Sequence, residues 1–167
     1  MATLEERIRA LEDERAITRT LLQYVHAIDQ GQDPAEFSDC FTENGVWWSS
    51  IDGPFAGLGG SRHEGRKDIE KWFADMPRAS KGSADPADPR GKAKHYLISP
   101  DIRLEGDRAT VESYHLETTA NKDGPLITSM GRYLDVLVRC PDDRWRIEDR
   151  HLCREGAGVE AQQRSTR

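Results

Sequence analysis

No run of apolar residues in the chain approaches the roughly 20 that a membrane span requires. Its opening, Met1-Ala2-Thr3-Leu4-Glu5-Glu6, is acidic where a signal peptide is basic and then apolar. A cytoplasmic location with no membrane partner is expected. Cysteine is scarce: Cys40, Cys140 and Cys153 are odd in number and show no CxxC spacing, which argues against a disulfide framework and a zinc cluster. They read as small buried hydrophobes. Basic charge is not in excess either, since 24 Lys and Arg stand against 30 Asp and Glu for a net charge of −6. Backbone-phosphate binding needs a concentrated basic footprint, so nucleic acid is not an expected partner. Walker, Rossmann and G-x-S-x-G patterns are absent, which leaves nucleotide hydrolases, nicotinamide enzymes and triad hydrolases without a motif.

What is present is a chain of 167 residues, long enough to bury a core as one domain over residues 1–155, with a Gly, Glu and Gln-rich tail from 156 to 167 expected to be disordered. Thr3-Leu4-Glu5-Glu6 has the T-x-x-E form of a capping box and predicts a long helix running to Gly31. Leu4, Ile8 and Leu11 are spaced helically, and Ile17, Leu21, Tyr24 and Ile28 continue the repeat as one buried stripe. Asp33-Pro34-Ala35-Glu36 caps a short second helix that carries Phe37, Cys40 and Phe41. Val46 to Ile51 reads as a strand, followed by a glycine-rich loop through Gly57, Gly59 and Gly60. Ile69, Trp72, Phe73 and Met76 define a third helix over 65–76. A long loop covers 77–93, and the remainder is strand-like: 94–98, 102–104, 108–120, 126–139 and 144–154. Helices followed by strands predict an α+β fold, with a curved antiparallel sheet packed on the N-terminal helices around a small-molecule pocket.

Three residues carry candidate chemistry. Asp29 falls about 120° from the Ile17 stripe, at the edge of the apolar face and near the helix C-terminus, where the dipole disfavours an anion. It therefore asks for a compensating partner. Alternation places His115 on one face with Ala109, Val111, Ser113 and Glu117, whose small members leave room for a ligand. His95 opens the preceding strand, and both imidazoles can meet Asp29 if the sheet curls over the first helix. A His with a carboxylate partner suits general acid–base work near neutrality. Two His and one Asp also match an iron or zinc site in residue type, but no H-x-x-x-H spacing supports metal, and none is expected. His26, His63 and His151 have weaker claims. Trp72 and Trp145 read as core, while Trp47 and Trp48 go to opposite faces of their strand, one of them available to line a pocket.

The segments Tyr24-Val25-His26-Ala27-Ile28-Asp29 and Phe41-Thr42-Glu43-Asn44-Gly45-Val46-Trp47 resemble the opening of SnoaL-like proteins of the NTF2-like superfamily. Lys94-His95-Tyr96-Leu97-Ile98, Gly106 to Val111, Gly131-Arg132-Tyr133 and Asp143 to Ile147 follow the same pattern, so the resemblance spans roughly residues 10 to 154. It implies a cone-shaped α+β barrel with a deep pocket, and often a homodimer or homotrimer. Among its members the acid–base positions are most similar to those of scytalone dehydratases: Asp29, His95 and His115 match the catalytic Asp and two His. Ile28 stands where that group has a tyrosine, and Trp48 where another tyrosine holds water. Tyr24 and Trp48 are expected to contact substrate. The resemblance implies a cofactor-independent dehydratase or isomerase in which His95 removes a proton from carbon. His115, oriented or charged by Asp29, would donate to the leaving oxygen. The alternatives are a ligand-binding protein or a structural small subunit like that of ring-hydroxylating dioxygenases.

Overall fold

The computed structural model describes residues 3–30, 33–51, 60–76, 94–121 and 124–155. The loop 77–93, Gly57 and Gly59, and the tail 156–167 lie outside them. Helix α1 (Leu4–Gln30) starts as the capping box requires, with Thr3 N–H donating to Glu6 Oε2 at 2.7 Å and Glu6 N–H to Thr3 Oγ1 at 3.2 Å. Helix α2 (Pro34–Ser38) is capped by Asp33, whose carboxylate accepts from Ala35 N–H at 2.8 Å. Strand β1 (Phe41–Ile51) follows, then β2 (Arg62–Glu64), α3 (Arg66–Asp75), β3 (Lys94–Glu105), β4 (Arg108–Asn121), β5 (Gly124–Arg139) and β6 (Trp145–Arg154). Gly65 precedes α3 at φ 83°, a conformation that disfavours any side chain.

The six strands lie in the order β2-β1-β6-β5-β4-β3. Four of the five pairings are antiparallel, but β1 and β6 run parallel, so the sheet is mixed where a purely antiparallel one was expected. It is also an open sheet, with β2 and β3 at its edges, and not a closed barrel. Helix α1 lies across it from β6 to β3. The fold is the expected α+β architecture of a long N-terminal helix, a curved sheet and short helices.

Three local boundaries differ from the sequence reading. Phe41 opens β1 instead of closing α2, and Arg62–Glu64 forms a short strand paired to Val46–Trp48. Residues 94–105 are one strand interrupted by a bulge between Ile98 and Asp101, where Ser99 takes φ 52°. The apolar stripe of α1 is buried only from its second half. Ile17, Leu21 and Tyr24 are 2% exposed or less, whereas Leu4 and Leu11 remain 68% and 65% exposed because the first three turns extend past the sheet. Asp13 marks the transition: it accepts from Trp145 Nε1 at 3.1 Å and from Arg139, tying α1 to the ends of β5 and β6.

The core between α1, α2, α3 and the sheet is aromatic. Phe37 stacks on Phe73 with ring centroids 4.1 Å apart, and Tyr24 sits among Phe37, Phe41 and Tyr133. Through this layer passes a buried ion pair. Arg150 donates from Nε and Nη2 to the two oxygens of Asp135, each at 2.7 Å, and its guanidinium lies 4.0 Å from the Tyr24 ring and 4.5 Å from that of Tyr133.

Candidate active site

Asp29 is 8% exposed at the end of α1, in a last turn that holds no basic residue. The helix dipole opposes an anion there, and compensation comes from β3. As an edge strand β3 has a sheet neighbour on one side only. The His95 backbone N–H donates to Asp29 Oδ1 at 3.0 Å and Oδ2 at 3.2 Å, and His95 Nδ1 lies 2.7 Å from Oδ1. One carboxylate thus holds both the main chain and the ring of His95. With Nδ1–H donated to the carboxylate, Nε2 carries the lone pair. It faces Glu117 Oε2 at 3.9 Å and the His115 ring, 6.2 Å away between centroids.

His115 occupies a different environment on the neighbouring strand. It is 3% exposed, meets the Tyr133 ring nearly edge-on at 4.9 Å, and shares a 3.2 Å hydrogen bond between Nε2 and Ser129 Oγ. Its Nδ1 has no partner among the described residues. Burial, with Arg154 and Arg150 nearby and a second imidazole that could not be charged beside it at low cost, holds its pKa down at about 3. His115 is therefore neutral near pH 7. The expectation that Asp29 orients or charges His115 is corrected here: the carboxylate is taken by His95, because β3 and not β4 runs beside the end of α1.

The structure thus brings Asp29, His95 and His115 together and leaves the two aromatic candidates apart from them. Tyr24 is 2% exposed; its hydroxyl accepts from Trp47 Nε1 at 2.8 Å, and its ring reaches His115 only through Tyr133. Trp48 is on the opposite face of the sheet. It stacks on His151 with centroids 3.5 Å apart, donates from Nε1 to Asp149 Oδ1 at 3.1 Å, and lines an outer groove of about 350 Å³ with Leu134, Val136 and Glu112. Trp47 is the inward tryptophan, packed on Trp72 at 4.2 Å. Phe41, Gly45 and Trp47 are the buried positions of β1, so Trp47 faces inward and Trp48 faces out. His63 pairs with Asp68 at 3.3 Å and stacks on Trp72, and His26 meets Gln30, so neither joins the site. Burial pushes the Cys40 thiol up to about 12, far from a reactive thiolate. Among the described residues no group of three His, Cys, Asp or Glu has an arrangement that could hold a metal ion.

Sequence reasoning missed Ser129, Arg150 and Arg154 near His115. The signal was weak but present for the arginines, since alternation along β6 puts Arg150, Leu152 and Arg154 on one face.

An open, curved sheet packed on a long N-terminal helix is the NTF2-like fold. Three solved structures from Novosphingobium aromaticivorans are similar in fold. An NTF2-like protein with a cystatin-like fold has a TM-score of 0.72 and 19% identity, over 98% of this chain and 97% of its own. A beta subunit provisionally assigned to an aromatic-ring-hydroxylating dioxygenase has a TM-score of 0.69 and 14% identity, over 90% and 94%. A protein provisionally assigned as a scytalone dehydratase has a TM-score of 0.60 and 22% identity, over 88% and 87%. No curated protein matches the sequence at a significant level. The SnoaL-like domain family matches residues 9–151, and the chain belongs to that family, whose members include polyketide cyclases and dehydratases.

Proposed function

We propose that this protein is a cytoplasmic, cofactor-independent lyase of the dehydratase type, or an isomerase, acting on a small cyclic or aromatic substrate with carbonyl and hydroxyl groups. The observation that carries this reading is the double hold of Asp29 on His95, at 2.7 Å to the ring and 3.0 Å to the main chain. It leaves Nε2 as a base aimed toward the inner face. His95 takes a proton from carbon next to the carbonyl, and Asp29 stabilises the imidazolium that forms. The same proton then passes to the hydroxyl leaving from the adjacent carbon. Water departs, a carbon–carbon double bond forms, and the imidazole is neutral again. Returned to a different carbon instead, the proton completes an isomerisation.

His115 acts in this scheme as a neutral hydrogen-bond donor to the substrate carbonyl. With Nε2 accepting from Ser129, Nδ1–H has no partner among the described residues and would meet the oxygen as negative charge develops on it. An imidazole held near pKa 3 is not a source of protons at neutral pH, so the role first expected for it, delivering a proton to the leaving oxygen, passes to His95. Tyr24 packs behind Tyr133, and Trp48 lies on the opposite face of the sheet. Screening hydroxylated ketones and aromatic polyketides for loss of water tests the reading. His95→Ala and Asp29→Asn should each lower turnover by about 10² to 10⁴-fold. Undiminished turnover in both would reject it.

A second reading is a non-catalytic ligand-binding protein or structural subunit, and the outer sheet face favours it. Tyr96, Ile98, Tyr114, Met130 and Leu134 are all at least 36% exposed there. A structural small subunit should need a large iron–sulfur partner to be stable on purification. The enzyme should purify as copies of itself alone, a homodimer or homotrimer, with neither nucleic acid nor membrane.

A further inference from the structure

Five buried side-chain polar atoms lack a hydrogen-bond partner among the described residues, and four belong to the inner face of the sheet: Ser113 Oγ, His115 Nδ1, Arg150 Nη1 and Arg154 Nε. Ser113, His115 and Arg150 are 2%, 3% and 0% exposed. A buried donor left unmet costs the full desolvation of that group, most of all on a guanidinium, so a cluster of them asks for a partner that the described residues do not supply.

The ladder pairs bring them to one area. Ser113 pairs with Tyr133, and His115 with Gly131, which in turn pairs with Arg154. Gly131 is required by the backbone, since an added Cβ would stand 2.0 Å from the Cys153 carbonyl oxygen. It also leaves no side chain between His115 and Arg154. Both Arg154 and Arg150 lie close enough for their charge to oppose protonation of His115.

The carboxylates nearby are committed elsewhere. Asp135 neutralises Arg150, Asp29 holds His95, and Glu117 faces His95 Nε2. Arg154 has no carboxylate partner among the described residues, and its Nε is buried with no hydrogen-bond partner among them.

We infer that the inner face receives a small aromatic acid, whose carboxylate is bound by Arg154 with Arg150 Nη1 and Ser113 Oγ as further donors, while the reacting carbon lies toward His95. The inference rests on the proposed reading of this face as a substrate site and adds the charge of the substrate to it. A guanidinium suits the task because its planar donors match the two oxygens of a carboxylate, and a neutral His115 adds a donor without adding a competing charge.

Benzoate and benzamide differ in charge and little in shape, and titrating each into the full-length protein at pH 7, followed by NMR, tests the inference. The wild-type protein should bind benzoate saturably and at least about tenfold more tightly than benzamide, a difference of about 1.4 kcal/mol. Arg154→Gln should abolish the preference, and Arg154→Lys should keep part of it. Equal binding of both probes by the wild type, binding of neither, or a preference unchanged in Arg154→Gln would each overturn it. The wild-type comparison decides even if the glutamine variant does not fold. Asp29→Asn separates the two ideas. A benzoate preference that persists while turnover is insensitive to Asp29 rejects the acid–base reading and keeps the anion site, and the converse result does the opposite.

Discussion

The two faces of one sheet use the same strands to opposite ends. Along β4 the inward residues are Ala109, Val111, Ser113 and His115, all buried, while Thr110, Glu112 and Tyr114 between them are exposed. On the outer face charge is paired in water: Arg132 with Glu112 and Glu155, and Arg103 with Asp101, all more than a third exposed. Such solvent-screened pairs contribute little to stability. The inner face instead buries the Arg150 and Asp135 side chains at 0% exposure, keeps one imidazole neutral by desolvation, and holds donors that no described residue meets. A face built for stability alone would satisfy or remove those groups, and the proposed ligand site rests on this contrast.

The largest effect should come from the buried pair. Arg150→Met leaves Asp135 charged and alone, and should cost about 3–5 kcal/mol in urea unfolding, with much of it restored by adding Asp135→Leu. Arg103→Met on the outer face should change stability by less than about 1 kcal/mol. Equal costs at the two positions would erase the comparison.

Next in size is the acid limb of the stability curve. The pKa of His115 falls from 6.5 to about 3 on folding, so the unfolded chain binds a proton that the folded chain refuses between those values. Stability is complete above pH 6.5 and is lost as pH falls toward 3, by about 3–5 kcal/mol at the limit. His115→Gln should flatten that limb without altering the slope contributed by carboxylates. An unchanged limb would place His115 in contact with water.

The smallest effect is expected outside. Tyr114→Ser, at 61% exposure, should shift unfolding by no more than about 0.5 kcal/mol in a monomer and leave turnover intact. A larger loss, with a fall in molecular mass by light scattering, would show the outer face to be an interface between subunits.

Much of this layout could be read from local signals. The capping boxes at Thr3 and Asp33 act through neighbouring residues, and the alternation of β4 is uninterrupted from Ala109 to His115, so helix starts and the inward set followed from the chain alone. Asp29 could be singled out because an anion at a helix C-terminus needs a partner. Which partner it takes could not, because that depends on which strand lies at the sheet edge. The parallel pairing of β1 with β6 joins residues about a hundred positions apart, and local patterns carry no trace of it. The expectation that Trp48 contacts substrate rests on its match to a tyrosine of scytalone dehydratases, whereas Phe41, Gly45 and Trp47 are the buried positions of β1 and Trp48 takes the other face. Leu4, Ile8 and Leu11 keep a helical spacing, but their exposure depends on where the sheet stops.

The central claim is that two imidazoles 6.2 Å apart are held in different states, one as an oriented base and one as a desolvated neutral donor. Nitrogen-15 NMR of the histidine rings, followed from pH 8 to pH 4 in the substrate-free protein, tests it most directly. At pH 8 His95 should carry its proton on Nδ1, with that preference lost in Asp29→Asn, and His115 should stay neutral throughout the range. A His95 ring protonated on Nε2 at pH 8, or a His115 that titrates near 6.5, would contradict the account.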